Sequence, residues 1–327
     1  YAVIPSDGAA DMDVTRATDA TRVDENGLVN YAEILGGEEV TNGDFVTDSD
    51  WTKGIGWTIS EGNLNASSPA GNVATSQSVA GLTAGKTYKV SFEVSEITSG
   101  YFRLYAYVGA SGTFTNIFSS PELESGTYET TFEFGGTDKT FRIYGTPNSA
   151  SALTVGSVSN VSVKEVTRDN VPRIDYTGGG CPHILAEPMR TNLIPYSEDF
   201  SSWSSGTSYV TSDYSISPDG TQNASRCLFT NSNQSLSIPT SLGTSVEANG
   251  SIYIKGNSGE TIQIAVGGVD KLITLTNDWK RYDATKTSVN SQFNVNTWGS
   301  TTARDFQIWG AQLEAGSYAT SYIPNFG

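Results

Sequence analysis

The segment from Tyr101 to Val108 has residue types and a spacing that could bind a ligand. Successive side chains of a β-strand point to opposite faces, so every second residue would share one face. The polar and aromatic residues at alternate positions are Tyr101, Arg103, Tyr105 and Tyr107. Tyrosine rings suit the C–H faces of sugars, and an arginine can hydrogen-bond sugar hydroxyls or pair with an acidic sugar. Both types are also enriched in subunit contacts, so the pattern predicts a glycan-binding platform or a protein interface.

The sequence offers little support for catalysis. His183 is the only histidine, and a Ser-His-Asp or Cys-His arrangement would need a nucleophile to meet it there. We expect His183 to fill a surface groove. Glycoside hydrolysis needs two carboxylates at a defined separation, and no local motif among the 35 acidic residues points to such a pair. Walker, dinucleotide-binding and HExxH motifs are also absent from the sequence, so we expect no enzymatic activity and no required cofactor.

The charge balance excludes some partners. Lys and Arg number 19 against 35 Asp and Glu, which gives a formal net charge of −16. A chain this acidic repels nucleic acid and anionic membranes, and it has no apolar run long enough to span a bilayer. Its two cysteines, Cys181 and Cys227, are too few to staple the fold or to form a zinc site. We expect free buried thiols, with a disulfide between them as the alternative.

Short alternating segments follow one another between residues 37 and 169. They are 87–96, 101–109, 128–136, 140–145 and 159–166. In the first of these, period two would place Tyr88, Val90, Phe92 and Val94 on one face. Short strands of this kind, with Gly, Ser, Thr and Asn between them, predict a β-sandwich of about eight strands.

The same plan recurs in the second half of the chain. Ser197 to Phe200 followed by Trp203 matches Asn42 to Phe45 followed by Trp51. Segment 251–256 matches 90–95, 261–268 matches 101–108, and 306–314 matches 141–145 together with 160–165. We therefore predict an all-β chain with two tandem jelly-roll β-sandwiches. The second has Thr261, Gln263, Ala265 and Gly267 at the positions aligned with the Tyr and Arg set, so any sugar site is expected in the first.

The tryptophans also divide by their surroundings. Five stand in strand-like settings, and most of these are expected in the core: Trp51, Trp57, Trp203, Trp279 and Trp309. Trp298 stands in a turn-rich stretch and is expected to be the most exposed.

An extended N-terminal arm and a Pro/Gly-rich connector complete the organisation. The arm contains two short strands around the turn Asp24-Glu25-Asn26-Gly27. Prolines and the run Gly178-Gly179-Gly180 keep the connector from forming a regular helix. We therefore divide the chain into a docking arm at 1–36, an inserted sandwich at 37–169, a connector at 170–195 that packs with the arm, and a second sandwich at 196–327.

The arm and the connector together resemble a recurrent stretch of tailed-bacteriophage structural proteins. The resemblance is carried by Thr15-Arg16-Ala17, Ala20-Thr21-Arg22-Val23 and Gly27-Leu28-Val29, and then by the segment from Pro172 to Trp203 (PRIDYTGGGCPHILAEPMRTNLIPYSEDFSSW). In those proteins the two halves are nearly continuous, whereas here a whole domain is inserted between them. The resemblance therefore implies that arm and connector lie near each other in space.

The resemblance implies a non-enzymatic structural protein of a virion. It would be a fibre, spike or decoration protein on a capsid or tail, assembled in the host cytoplasm and displayed on the virion surface. Other virion proteins would be its partners, and a homo-oligomer is expected, with a trimer favoured. The alternative is a receptor-recognition lectin that binds host cell-surface glycan through the 37–169 sandwich. A third alternative, a glycan-degrading spike, would need paired carboxylates in a cleft.

The start of the first sandwich resembles the opening strand of jelly-roll carbohydrate-binding modules. The resemblance is carried by the segment Val40 to Phe45 (VTNGDF), followed by Trp51 and by Gly56-Trp57. Such modules often hold a structural calcium near the first and last strands. The resemblance implies a candidate Ca²⁺ site with oxygen ligands from Glu39, Asp44, Asp48 and Asp50. Solvated turn carboxylates are the alternative, because Ser159 and Asn160 occupy the place of the acidic residue expected before the last strand.

Overall fold

The computed structural model describes most of the chain in two compact units. The described residues are 14–16, 19–69, 73–109, 113–117, 123, 125–146, 153–178, 181–204, 206–231, 233–243, 245–287, 292–298 and 303–326. One unit comprises residues 33–167, and the other joins the residues up to Ala32 with those from Arg168 onward. The arm before Val14, and Gly179 and Gly180 of the connector, lie outside the described residues.

The arm and the 33–167 unit contain twelve of the described strands. They are β1 (Thr21–Val23), β2 (Val29–Tyr31), β3 (Ile34–Glu38), β4 (Trp57–Ser60), β5 (Asn63–Pro69), β6 (Val73–Ser78), β7 (Lys86–Ser99), β8 (Tyr101–Val108), β9 (Thr113–Asn116), β10 (Gly126–Phe134), β11 (Thr140–Thr146) and β12 (Leu153–Thr167). Strands β1 and β2 form the predicted hairpin, whose turn is closed by Asp24 and by Gly27 at a φ of 81°.

The 33–167 unit is a β-sandwich. One layer has the strand order β4-β5-β12-β7-β10, with β3 paired to β12, and the other has the order β6-β11-β8-β9. A single pairing, Phe134 with Val108, links β10 to β8 at one end. The layers approach so closely there that a Cβ on Gly135 would lie 1.4 Å from the carbonyl oxygen of Gly109.

The interior of this sandwich is the predicted apolar set. Along β7, Tyr88, Val90, Phe92 and Val94 are all buried. Alternate residues of β8 and β11 face them across the core: Phe102, Leu104, Ala106, Phe141 and Ile143. The period-two pattern predicted this face because one side of each strand is closed to water.

The remaining strands belong to the other unit. They are β13 (Ile174–Asp175), β14 (His183–Ile184), β15 (Val210–Ser215), β16 (Ala224–Phe229), β17 (Ser235–Pro239), β18 (Glu247–Gly256), β19 (Thr261–Val266), β20 (Val269–Thr274), β21 (Lys280–Thr287), β22 (Gln292–Asn296) and β23 (Arg304–Ala315). A 3₁₀-helix at Phe200–Ser202 and the short helix α1 at Gly206–Tyr209 precede β15. No helix in the described ranges is long and apolar enough to cross a membrane.

The second sandwich repeats the strand order of the first. Its layers are β15-β16-β23-β18-β21 and β17-β22-β19-β20. Taken in chain order, the nine described strands from β15 pair as the nine from β4 do. The entry segments agree as well, since Phe45 packs on Trp51 with ring centroids 5.4 Å apart and Phe200 packs on Trp203 at 5.0 Å. The prediction of an all-β chain with two tandem sandwiches is confirmed. In the described residues the first sandwich has ten strands where about eight were expected, and the second has nine.

One part of the sequence alignment between the sandwiches is wrong. Segment 306–314 lies in β23, which corresponds in topology to β12 and therefore to 160–165. Its match to 141–145 in β11 is coincidental, because β11 corresponds to β22. A few alternating core residues fit any strand of a sandwich, and strand pairing alone separates the candidates.

Hydrogen bonds tie the arm to the connector within one unit. The Val23 amide donates to Asp175 Oδ2 at 2.9 Å, and the Tyr176 amide donates to the Val23 carbonyl at 3.0 Å. Arg16 Nη2 donates to the carbonyls of Arg168 at 2.7 Å and Val171 at 3.0 Å. Two stretches about 150 residues apart in the sequence thus share one hydrogen-bond network.

The arm and the C-terminal segment also pack on the second sandwich. Thr21 Oγ1 donates to the carbonyl of Tyr322, and the Val29 amide donates to that of Pro218 at 2.9 Å. Val29 joins Ala224, Trp309 and Tyr322 in a small buried cluster. These contacts fix the arm and the C-terminal segment to the second sandwich without a long helix or strand.

The cysteines and tryptophans test simpler expectations. Both cysteines are free thiols; Cys227 is buried, which raises the pKa of its thiol, but Cys181 is exposed. The expectation of burial is wrong for Cys181 because it lies in the loop between β13 and β14. The expected core tryptophans are buried, except for the half-buried Trp279, and Trp298 is 40% exposed.

Candidate functional site

Strand β8 has the two faces that its sequence predicts. Phe102, Leu104 and Ala106 are fully buried in the core. The alternate residues on the other face of the strand are Tyr101, Arg103, Tyr105 and Tyr107, and all four are half-buried. Of these, Tyr107 also packs against the edge of the core. The structure therefore brings the predicted Tyr and Arg set together on the outer face of one layer of the first sandwich.

Neighbouring strands extend this set into an aromatic cluster. The ring of Tyr105 stacks on Phe114 of β9, with centroids 5.4 Å apart, and meets Tyr144 of β11 edge-on at 5.1 Å. Tyr107 approaches the other side of the cluster, 5.6 Å from Phe114. We call this surface the aromatic face; its members are Tyr101, Arg103, Tyr105, Tyr107, Phe114, Arg142 and Tyr144.

Two arginines lie among these rings. Arg103 Nη2 donates to Tyr101 Oη at 2.9 Å, and its guanidinium carbon lies 5.0 Å from the centre of the Tyr101 ring. The guanidinium carbon of Arg142 lies 4.2 Å from the centre of the Phe114 ring. Cation–π contacts of this kind hold a long side chain against an aromatic surface and leave its charge in place.

The aromatic face is cationic in a chain that is acidic overall. Strands β6, β8, β9 and β11 contain two arginines and no Asp or Glu within their described bounds. The opposite layer of the same sandwich has mixed charge: its strands contain the acidic residues Glu38, Glu93, Glu96, Glu129, Glu133 and Glu165 and the basic residues Lys86, Lys89 and Lys164. Ion pairs join Lys86 to Glu165 and Lys89 to Glu129. Asp138 lies just before β11, 3.4 Å from Arg142 Nη2. Within the described strands the glutamates therefore lie on the opposite layer only, whereas cationic side chains occur on both layers.

Sequence reasoning missed three members of the aromatic face. Phe114, Arg142 and Tyr144 lie on β9 and β11, and their registers place them beside β8: Tyr107 opposite Phe114, Tyr105 opposite Arg142, and Arg103 opposite Tyr144. The alternation of β11 is visible in the sequence, but its pairing with β8 is not local. A matched strand order for both sandwiches would have revealed it.

The second sandwich lacks such a surface at the equivalent place. Strand β19 corresponds to β8, and its outward residues include Thr261, Gln263 and Ala265. Across from them on β22, the buried Asn294 and Asn296 provide amides in place of rings. The sequence-based contrast between the two sandwiches thus extends to the neighbouring strand.

The four residues of the candidate Ca²⁺ site have separate environments. Asp44 is exposed, and Asp48 pairs with Lys53. Asp50 accepts a hydrogen bond from Ser49 Oγ at 2.5 Å, and the Glu39 carboxylate lies against Gly81. The Asn42 amide donates to the carbonyls of Thr47 and Ser49, at 2.7 and 3.0 Å. It thereby satisfies loop carbonyls that a cation could have bound. No group of three or more His, Cys, Asp or Glu side chains converges anywhere in the described part of the chain.

His183 lies beside a cavity of about 480 Å³ in the other unit. Its Nε2 is 3.8 Å from Asp175 Oδ1. Burial opposes ionisation of Asp175, but the amides of Val23 and Thr177 outweigh it and lower the pKa of that carboxyl. Within the described residues no hydroxyl or thiol hydrogen-bonds the imidazole.

Glu198 is an unusual carboxyl that the sequence did not single out. Burial raises its pKa to about 7; the hydrogen bond from Tyr322 Oη, at 2.9 Å, opposes this rise, and the negative charge of Asp219 adds to it. Asn223 Nδ2 bridges the two carboxylates, at 3.3 Å from Glu198 Oε2 and 3.0 Å from Asp219 Oδ2. Enclosed by these partners, Glu198 joins the C-terminal segment to the sandwich.

Comparisons with known proteins add little to this geometry. No protein-family model and no curated protein matches the chain. Among solved structures it is similar to the tandem CBM22 domain of Paenibacillus barcinonensis Xyn10C, at 10% identity over 92% of this chain and 100% of that chain, with a TM-score of 0.27. It is also similar to the tandem CBM51 modules of a family 98 glycoside hydrolase from Streptococcus pneumoniae, at 8% identity over 94% and 98%, with a TM-score of 0.27. Likeness this weak supports no inference about function.

Proposed function

We propose that this chain is a non-enzymatic glycan-binding protein that acts through the aromatic face of its 33–167 sandwich. The observation that carries the proposal is the clustering of five aromatic rings and two arginines on one layer of that sandwich. At the equivalent described positions the second sandwich has amides, a hydroxyl and an alanine instead, and Asn294, Asn296 and Ala265 are buried there. Core packing does not account for most of the cluster, because only Tyr107 among its rings packs against the core of the sandwich.

The chemistry of the aromatic face suits a sugar. Tyr105 and Phe114 stack with their ring planes 28° apart, and aromatic rings of this kind offer apolar surface that sugar C–H groups can contact. Tyrosine hydroxyls and guanidinium groups beside such a surface can hydrogen-bond sugar hydroxyls. Stacked rings and cation–π contacts also hold the side chains in place, which lowers the entropy lost on binding.

A contact between subunits is the competing role for the same surface. Tyr and Arg are enriched in protein interfaces, and the rings are half-buried within a single chain. The two roles differ in what covers the tyrosines. A glycan covers them in the first role, and a second protein subunit covers them in the other. The interface role would require a homo-oligomer, with a trimer favoured, in which another subunit covers the aromatic face.

A structural role on the surface of a tailed-bacteriophage virion is the second candidate, and it is compatible with glycan binding. The observation that favours it is the shared network of the arm and the connector, the two stretches that resemble phage fibre, spike and decoration proteins. Capsid or tail proteins would bind this framework, and the sandwich would meet host-surface glycan. Immunogold labelling of phage particles tests this placement, and particles without the chain would contradict it.

Replacing Tyr105 and Tyr107 together by alanine in the full chain should strongly weaken glycan binding. Replacing an aromatic ring on which a nucleic-acid base stacks weakens binding by about 1–3 kcal/mol. We expect a change of similar size for a ring on which a sugar stacks. Affinity should therefore fall by about 30-fold or more for the double variant. The measurement is binding to a glycan array and to host envelope fractions, followed by calorimetry with the strongest ligand.

Tyr214→Ala is the matched control, because Tyr214 is an exposed strand tyrosine of the second sandwich. It should bind as the unchanged protein does. If the folded, unchanged protein binds no glycan, the proposal fails and the aromatic face is an interface. If the double variant binds normally, the glycan site lies elsewhere.

A further inference from the structure

We infer that the ligand of the aromatic face is an acidic glycan whose anionic group is paired by Arg103. The inference rests on the proposed function and adds the chemical class of the ligand. A neutral sugar would need only the rings and hydroxyls. The arginine and the charge distribution of this sandwich are the features that a neutral ligand leaves without a role.

Arg103 carries a charge that the described part of the chain does not neutralise. Its hydrogen-bond partner there is the neutral hydroxyl of Tyr101, and no carboxylate in the described residues pairs with it. Its Nε is enclosed without a partner, so the two Nη groups form the end that faces a ligand. Two parallel N–H groups at that end match the two oxygens of a carboxylate, and equally those of a sulfate.

The second arginine has a different role. Arg142 packs its guanidinium on Phe114 and lies 3.4 Å from Asp138, so its charge is partly compensated. It supports the ring that stacks on Tyr105. Arg103 is therefore the group expected to decide between acidic and neutral sugars.

The surroundings strengthen this assignment. A chain with a formal net charge of −16 repels polyanions over most of its surface. The layer with the aromatic face is an exception, because its described strands contain arginines and no acidic residue. An anionic sugar would be attracted here over short range, and salt would weaken the attraction.

A paired glycan array tests the inference with the whole 327-residue chain. Each acidic glycan is printed beside a neutral counterpart: uronic-acid polymers beside their methyl esters, sialylated beside desialylated oligosaccharides, and sulfated beside desulfated polysaccharides. We expect at least one acidic member to bind about tenfold more tightly than its counterpart. Arg103→Gln should bring that ratio close to one, Arg103→Lys should retain part of it, and Arg142→Gln should lower affinity for both members alike.

The outcomes separate this inference from the proposed function. Equal binding of acidic and neutral members overturns the acidic class and leaves glycan binding in place. Binding to no member by a well-folded chain overturns both. A preference for acidic members that Arg103→Gln leaves unchanged overturns the role of Arg103, provided that thermal melting shows both proteins folded. The class of acidic glycan that binds then distinguishes carboxylate from sulfate recognition.

Discussion

Trp309→Ala should lower the free energy of unfolding of its unit by about 3–5 kcal/mol. Trp309 is 2% exposed, with its ring 4.7 Å from that of Tyr322 and 5.4 Å from that of Tyr253. It shares a buried cluster with Val29 of the arm and Ala224 of β16. Truncation would open a cavity that rigid strands cannot close. Chemical denaturation followed by circular dichroism measures the loss.

The loss should also loosen the arm. Val29 would lose its aromatic neighbour, so its amide, which donates to Pro218 O, should exchange faster with solvent. Trp298→Ala is the matched control, because Trp298 is 40% exposed and lies outside this cluster. A Trp309→Ala loss no larger than that of Trp298→Ala would show that the cluster does not stabilise the unit.

Glu198→Gln should stabilise the protein increasingly as the pH rises from about 4.5 to about 7. Burial raises the pKa of Glu198 to about 7 from the 4.5 of an unfolded chain. Between these values the folded state binds more protons than the unfolded one, so stability falls as the pH rises. Gln carries no charge and avoids this loss. The difference between variant and unchanged protein should be close to zero at pH 4 and about 2–3 kcal/mol at pH 8.

The main hydrogen bond of Glu198 can be kept by the amide, because Gln Oε1 can still accept from Tyr322 Oη. The longer hydrogen bond from Asn223 Nδ2 to Glu198 Oε2, at 3.3 Å, would be lost, because the new Nε2 is itself a donor. Glu247→Gln, at an exposed strand position, is the control and should change stability little at any pH. Denaturant titrations at several pH values supply the measurement. A Glu198→Gln effect of the same size at pH 4 and pH 8 would contradict the raised pKa.

The alternation of β8 could be predicted from the sequence because it is a local property. Every second residue of 101–108 shares a face, whatever the strand pairs with. Arg142 and Tyr144 could not be placed beside Arg103 in the same way, because the pairing of β8 with β11 joins residues about forty positions apart. The same limit explains the wrong match of 306–314 to 141–145, which only the sheet order could exclude.

Long-range contacts also set the chemistry of the carboxyl groups. No residue near Glu198 in the sequence indicates that its pKa is raised. Its hydrogen-bond partner Tyr322 comes from the last segment of the chain. At the start of the first sandwich, the sequence offered four acidic residues, but the Asn42 amide satisfies the loop carbonyls. Acidic residues that are close in the sequence therefore do not by themselves establish that their carboxylate oxygens converge in space.

Hydrogen–deuterium exchange of the full chain, with and without the strongest-binding array glycan, tests the central claim most directly. We predict slower exchange in β8, β9 and β11 around the aromatic face, and unchanged exchange in the equivalent strands β19, β20 and β22 of the second sandwich. Tyr105→Ala with Tyr107→Ala should remove the protection at the same glycan concentration. Protection confined to the second sandwich or to the arm and connector would contradict the account.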